Sequence, residues 1–304
     1  MAVVGFVACA VILAVLITIF TSLSPTQALT AAIPFAVISS AVAIPGSSFF
    51  PPHGREFVVY ESSVSDILGV MVFFSLLESD GTLMGALSSL AGGGLLSLFL
   101  AAVCALGLTM TMLRIDGHIR FVPLLAGMFA LYAMGKLFHL SPLIMVLLFG
   151  LALNNPELVT RFRPFRHWLD NSYASTLSEF KLLTAEMTFA VRGFFFILLG
   201  YWTDLSSLTS FYAWVAAALA LLVIFCVRRI LLTAMRIEFE LIDALTWLAP
   251  RGLITVLLFL AAKDALPLPA YAGGTVMLVV LVSAGATTLA RFRWEAAQTT
   301  PNAN

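Results

Sequence analysis

The sequence alternates long apolar stretches with short polar segments rich in proline, glycine and aspartate. A membrane-spanning helix needs about 20 mostly apolar residues, and Pro, Gly, Asn and Asp mark the turns between such elements. The pattern therefore predicts about ten transmembrane helices. Their predicted bounds are 2–21, 28–50, 55–78, 84–113, 119–138, 141–154, 179–202, 208–235, 242–263 and 270–291.

Composition decides between a membrane protein and a soluble one. Of the 304 residues, 61% are hydrophobic and 11% are charged, whereas a soluble protein is about 25% charged. An all-α integral membrane protein is therefore predicted. The 16 basic and 16 acidic residues cancel, which argues against a nucleic-acid partner. Three dispersed cysteines predict no disulfide framework and no metal site, and nothing in the sequence calls for a cofactor.

The distribution of basic residues predicts the orientation in the membrane. With ten spans, the side that holds both termini carries ten basic residues: Arg55, Arg114, Arg120, Arg161, Arg163, Arg166, Lys181, Arg236, Arg291 and Arg293. The opposite side carries Lys136 and Lys263. Because cytoplasmic loops are enriched in Lys and Arg, both termini are predicted to be cytoplasmic, and a bacterial inner (plasma) membrane is expected.

The polar segments outside the spans suggest how the chain is organised. The longest, 155–178, mixes arginines with aromatic residues and predicts an amphipathic cytoplasmic linker. The polar tail 294–304 is predicted to be disordered. The N-terminal apolar stretch lacks the basic residues of a signal peptide, so we expect a retained helix and further sequence upstream.

Two predicted helices contain residues that break helices. The span 28–50 includes Ser39, Ser40, Pro45 and Gly46. Proline removes a backbone donor, and free backbone groups are tolerated in a membrane only against protein or water. We therefore expect an interruption near residues 39–46, beside a cavity; a simple proline kink is the alternative.

The span 242–263 contains "APRG", which places Pro250, Arg251 and Gly252 together inside an apolar stretch. This predicts a second interruption that carries a cation. Two interrupted helices in separate halves of a membrane protein are typical of transporters that bind an ion near the membrane midplane. A plain kink, or a helix that begins at Pro250, is again the alternative.

Asp66 is an acidic residue within the predicted apolar span 55–78, which follows the first interruption in the chain. If its helix begins near Arg55, Asp66 lies halfway along, where an ionised carboxylate costs about 2.5–3.5 kcal/mol on insertion scales. Such a group persists beside water, a cation or a proton. Oxygen atoms suit hard cations, and Ser62 and Ser65 flank Asp66. If the helix instead begins at Ser62, Asp66 lies in a solvated first turn.

Arg228 and Arg229 close the predicted helix 208–235. They either extend to the cytoplasmic boundary or pair with a carboxylate of the helix 55–78.

These motifs resemble those of the monovalent cation:proton antiporters, the sodium/proton exchanger superfamily. "ESSVSDILG" at 61–69 resembles the family's Glu-Ser-x-x-Asn-Asp signature. By this resemblance Asp66 carries the ion and the proton, Ser65 stands at the Asn position, and Glu61 pairs with an arginine of a later helix. An all-α antiporter fold is implied, with its two interrupted helices crossing near the membrane midplane.

Three further stretches carry the resemblance. "CVRRIL" at 226–231 is similar to the site of the pairing arginine, with Arg229 the better match and Arg228 second. "APRGLITVLL" at 249–258 resembles the second broken helix, and "SSAVAIPG" at 39–46 the first. The aspartate that the family carries in its first broken helix is missing here, so one carboxyl group and an electroneutral exchange are expected.

The resemblance also implies domains and partners. Residues 1–78 and 203–293 would form the two halves of a transport core, and 79–154 and 179–202 a scaffold that forms a homodimer. The implied function is exchange of a monovalent cation, Na⁺ or K⁺, for H⁺, with no enzymatic activity. Family members have twelve to fourteen helices, so the first ones would be missing from this chain.

Two other functions remain open at this stage. One is a non-transporting or degenerate fragment of such an antiporter. The other is a multi-span membrane enzyme such as an acyltransferase, which would use a histidine as base. The four histidines, however, lie in predicted loops or at helix ends: His53, His118, His139 and His167.

Overall fold

The computed structural model describes residues 1–78, 121–137, 172–202, 205–235 and 239–299, with isolated positions between 85 and 150. These residues form eleven α-helices. They are α1 (Ala2–Phe20), α2 (Pro25–Ala36), α3 (Ser40–Gly46), α4 (Pro52–Glu78), α5 (Phe121–Leu137), α6 (Ser172–Trp202), α7 (Leu205–Leu208), α8 (Phe211–Ala234), α9 (Phe239–Trp247), α10 (Leu253–Ala265) and α11 (Ala272–Thr299). The all-α membrane fold is confirmed.

Five stretches within the described residues are long and apolar enough to cross a membrane. They are Ala2–Phe20, Pro25–Gly46, Pro52–Leu77, Phe211–Ala234 and Ala272–Ala296. Each coincides with a predicted span. The predicted spans 84–113 and 141–154 lie outside the described residues, apart from single positions.

The chain divides into two compact units, Met1–Leu83 with Leu198–Asn304, and Met84–Ile197. In the first unit α1 packs against α2, α4 and α8, and α11 packs against α8 and α9. Its core includes Leu232, Leu245 and Leu248. The ring centroids of Phe50 and Trp294 lie 5.5 Å apart in the same core. In the second unit the described residues lie mainly in α5 and α6. Which unit transports and which supports remains a prediction.

Several predicted boundaries are displaced. The helix after the first turn begins at Pro25, because the Ser24 hydroxyl accepts from Gln27 N and the Gln27 side chain accepts from Ser24 N. The tail predicted to start at residue 294 is helical to Thr299, since buried Trp294 holds α11 to the core. Likewise α6 starts at Ser172, inside the predicted linker 155–178.

Both predicted interruptions are present, but the first lies at the N-terminal edge of the expected range 39–46 and not at Pro45 and Gly46. The backbone is non-helical at 37–39, whereas Pro45 and Gly46 end the short helix α3. The reason is tertiary bonding: Ile38 N donates to Ser65 Oγ at 3.0 Å and Ser39 N donates to the Pro250 carbonyl at 2.9 Å. These bonds replace the helical ones, so no proline is needed at the break.

The second interruption spans residues 248–252, between α9 and α10. It contains Pro250, Arg251 and Gly252, as predicted. Because Ser39 N binds the Pro250 carbonyl, the two broken helices cross at their breaks.

Candidate functional site

Asp66 lies midway along the 27-residue helix α4. The helix begins at Pro52, before Arg55, so the alternative of a solvated first turn is wrong. The side chain points to the first break, where Asp66 Oδ2 accepts hydrogen bonds from Ser40 N, at 3.2 Å, and from Ser40 Oγ. Ser40 is the first residue of α3, so the carboxylate satisfies a backbone N–H that has no partner within the helix.

Two oxygen atoms at this break are buried without a hydrogen-bond partner among the described residues: Asp66 Oδ1 and Ser39 Oγ. Buried polar atoms are ordinarily hydrogen-bonded, and an unsatisfied one costs about 1–3 kcal/mol. The first break therefore keeps unused oxygen ligands, one of them from the acid.

The two serines that precede Asp66 on α4 form hydrogen bonds with backbone groups. Ser65 Oγ accepts from Ile38 N and thereby fixes the break. Ser62 Oγ donates to the Val58 carbonyl at 2.7 Å, one turn earlier in its own helix. Of the serines predicted as ligands, Ser40 contacts Asp66 directly, Ser39 offers an unused hydroxyl, and Ser65 holds the adjacent backbone.

Glycines let the helices approach the breaks closely. A Cβ atom at Gly69, one turn beyond Asp66, would overlap the Cγ2 atom of Val37, which is fully buried. A Cβ atom at Gly252 would lie 2.7 Å from Ser39 Oγ. Side chains at these positions would displace the segment that carries the unused oxygens.

Arg251 fills the second break and is 1% exposed. Its Nε donates to the Phe35 carbonyl at 2.6 Å, and its Nη1 donates to the Ala249 carbonyl at 2.9 Å. Phe35 is near the end of α2, where free carbonyls concentrate partial negative charge. The guanidinium therefore compensates the carbonyl ends that the interruptions create.

Glu61 forms a buried, two-pronged ion pair with Arg228. Arg228 Nη1 and Nη2 each lie 2.8 Å from a Glu61 carboxylate oxygen, and Nε donates to the Leu245 carbonyl at 2.6 Å. The side chains are 4% and 5% exposed. Sequence reasoning named Arg229 first and Arg228 second for this pair; the first choice is wrong.

Arg229 instead turns to the surface of the unit. It pairs with Asp243, which Arg293 also approaches at 3.4 Å. The physical reason is helical geometry, because adjacent residues of α8 point in different directions. The buried positions Ala217, Ala220 and Ile224 continue at Arg228.

Some residues of the site were not predicted from the sequence. Ser283 of α11 is fully buried and its hydroxyl accepts from Arg251 N at 2.9 Å. The available signal was one serine within the apolar run "VVLVSAGA". Gly69 was not predicted either, because its contact with Val37 joins positions that are far apart in sequence. Asp243, the surface partner of Arg229, was also not predicted.

A membrane protein whose two broken helices cross beside a mid-helix acid has the architecture of an ion-transport core. The model of the family "Sodium/hydrogen exchanger, transmembrane" matches residues 1–293. The chain belongs to this family. It is therefore an integral membrane transporter of the cation:proton exchange class and not an enzyme, and the predicted superfamily is confirmed.

The solved structures include a similar fold. The sodium proton antiporter MjNhaP1 from Methanocaldococcus jannaschii superposes with a TM-score of 0.71 at 17% sequence identity. The match covers 98% of this chain and 77% of that one. No curated protein sequence matches this chain.

Proposed function

We propose that this chain exchanges Na⁺ or K⁺ for H⁺ by alternating access around Asp66. The observation that carries the proposal is the Asp66 carboxyl group: Oδ2 accepts from Ser40, while Oδ1 is buried beside the break and has no hydrogen-bond partner among the described residues. A proton or a dehydrated cation would satisfy that oxygen.

The chemistry around Asp66 suits a small hard cation. Carboxylate, hydroxyl and carbonyl oxygens are the ligands such ions prefer, and Asp66 Oδ1, Ser39 Oγ and Ser40 Oγ supply the first two kinds. One carboxyl group neutralises either one proton or one monovalent cation. The two therefore compete, and exchange is one for one and electroneutral.

The other buried charged residues near the breaks, Glu61, Arg228 and Arg251, connect the helices around the site. The Glu61–Arg228 pair joins α4 to α8, and the bond from Arg228 Nε to the Leu245 carbonyl reaches the end of α9. Arg251 joins the second break to α2. In the proposed mechanism this core moves as a body against a scaffold formed by 79–154 and 179–202 of a homodimer. Both termini would lie in the cytoplasm of a bacterial cell.

The test is cation-dependent proton movement in everted membrane vesicles, with Na⁺, K⁺ and Li⁺ added in turn. We expect the wild type to respond to at least one cation and Asp66→Asn to none, while both reach the membrane in equal amounts. Asp264→Asn is the matched control, because Asp264 is an exposed acid at the end of α10; it should retain exchange.

Two results would count against the proposal. Exchange retained by Asp66→Asn would remove the role of this carboxyl group. A wild type that is folded but inactive with every cation would favour the alternative of a non-transporting relative.

A further inference from the structure

A large apolar cavity lies within the first unit, away from Asp66. Its volume is about 560 Å³, it is partly open, and residues of α1, α2, α8, α10 and the start of α11 line it. This is the size of a pocket that holds an organic ligand. The described residues that line it include no charged side chain.

The lining changes character from one end to the other. At the helix ends it carries the hydroxyl groups of Thr21, Tyr212, Tyr271 and Thr275, and the two tyrosine rings lie 6.0 Å apart. Tyrosine is enriched where membrane proteins meet the membrane–water interface. This end of the cavity therefore marks an interfacial level.

The other end is wholly apolar and reaches the first broken helix. Leu13 and Ala220 line it, together with Phe35, whose carbonyl accepts from Arg251. From Thr21 to Leu13 the cavity follows eight residues of α1, which is about 12 Å at 1.5 Å per residue. That length approaches the depth of one leaflet of hydrocarbon, about 15 Å.

The helices beside the cavity present apolar side chains outward. On α1, Val11, Val15 and Ile19 are exposed, and on α8 so are Trp214 and Leu222. A charged, water-soluble ligand would need a charged partner in the site, and the described residues of this lining include none; their hydroxyl groups lie at one end. A hydrocarbon chain needs none, and its headgroup would meet the hydroxyl groups at the interfacial end.

From this gradient we infer that the cavity is a binding site for one acyl chain of a membrane phospholipid. The chain enters beside the tyrosine pair and its end contacts Phe35. Because Phe35 holds Arg251 through its carbonyl, an occupied site stabilises the crossing of the two breaks. This inference concerns binding and does not depend on the proposed exchange activity.

The test uses purified protein in liposomes that contain a trace of phosphatidylcholine with a diazirine in the middle of one acyl chain. After illumination, the labelled peptides are mapped by mass spectrometry. We expect label on the cavity-facing residues of α1 and α8, such as Leu16 and Leu219, and competition by unlabelled phosphatidylcholine.

Two variants separate the cavity from the general lipid-facing surface. Ala216→Phe fills the cavity and should abolish the competable label, whereas Ala218→Phe makes the same change at an exposed position of α8 that does not line it. Should Ala216→Phe misfold, Ala272→Leu fills the cavity from α11. Label that is spread evenly over all apolar faces, or that is unchanged in a folded variant with a filled cavity, overturns the inference. Absence of label from the cavity residues, which would mean that protein covers the site, overturns it as well.

Discussion

A charged side chain lies at each of the two breaks, and the two charges differ in sign and in how fully their atoms are hydrogen-bonded. At the second break Arg251 is part of the interrupted backbone, and it donates to the Phe35 and Ala249 carbonyls and to the Ser283 hydroxyl. At the first break the charge comes from the neighbouring helix α4, and one oxygen of Asp66 has no hydrogen-bond partner in the part of the chain that the structure describes. The cation is fixed by its bonds, whereas the acid is open to a further partner.

This difference assigns a separate role to each charge. A buried cation with several hydrogen bonds to backbone stabilises one arrangement, and its removal should damage the fold. A carboxyl group that uses only one of its two oxygens in hydrogen bonds should contribute little to the stability of the fold and much to the binding of a cation or proton. The first two predictions test the fixed part of the site, and the later ones the part around Asp66.

The largest effect is expected at the buried ion pair that joins α4 to α8. Arg228→Ala strands Glu61, and breaking a buried pair from one side costs about 3–5 kcal/mol. Arg229→Ala removes an adjacent arginine whose pair is partly exposed, for which we expect about 0–1 kcal/mol. Thermal unfolding in detergent would measure both; equal losses would contradict the assignment of Arg228 to Glu61.

Arg251→Met should be the next most damaging change. It keeps an apolar stem but leaves the Phe35 and Ala249 carbonyls without their donor, at about 1–3 kcal/mol each. Arg293→Met, at a largely exposed arginine of the same unit, is the control and should change the melting temperature little. A fully stable Arg251→Met protein would mean that the second break does not need its cation.

Gly69→Ala tests the packing of the first break. Its methyl group would overlap Val37, and overpacking costs about 1–3 kcal/mol. Gly285→Ala in α11 has open space around the new methyl group and should be tolerated. Since the clash involves Val37, the double variant with Val37→Ala should recover part of the loss; additive losses would argue against this contact.

The smallest effect on stability is expected from the serines, and here the readout is cation affinity. Ser40→Ala removes a hydroxyl that binds Asp66, so the cation concentration for half-maximal exchange should shift severalfold. Ser62→Ala removes a hydroxyl that bonds within its own helix and should shift it less. A larger shift for Ser62→Ala than for Ser40→Ala would mean that the cation ligands do not lie at the first break.

The sequence was sufficient for the parts that local chemistry determines. Apolar length predicted the spans, and "APRG" predicted the second break with its arginine. The first break was predicted within 39–46 but lies at 37–39, because its position depends on bonds from Ile38 to Ser65 and from Ser39 to Pro250. Proline content carries no information about such long-range partners.

The choice between two adjacent arginines shows a similar limit. The family resemblance favoured Arg229, whereas in the structure Ala213, Ala217 and Ala220 form the buried side of α8. Following that spacing one turn beyond Ile224 leads to Arg228. Residues 211–226 are apolar on every side of the helix, so neither the buried face nor the identity of the partner acid could be predicted from the sequence.

The central claim is that one carboxyl group holds either a proton or a cation. Calorimetric titration with the transported cation, repeated in buffers of different ionisation enthalpy, counts the protons released on binding. At a pH where Asp66 starts protonated, the wild type should release one proton for each cation bound, and a folded Asp66→Asn should show neither binding nor release. Cation binding without proton release in the wild type, or release that survives in Asp66→Asn, would contradict the account.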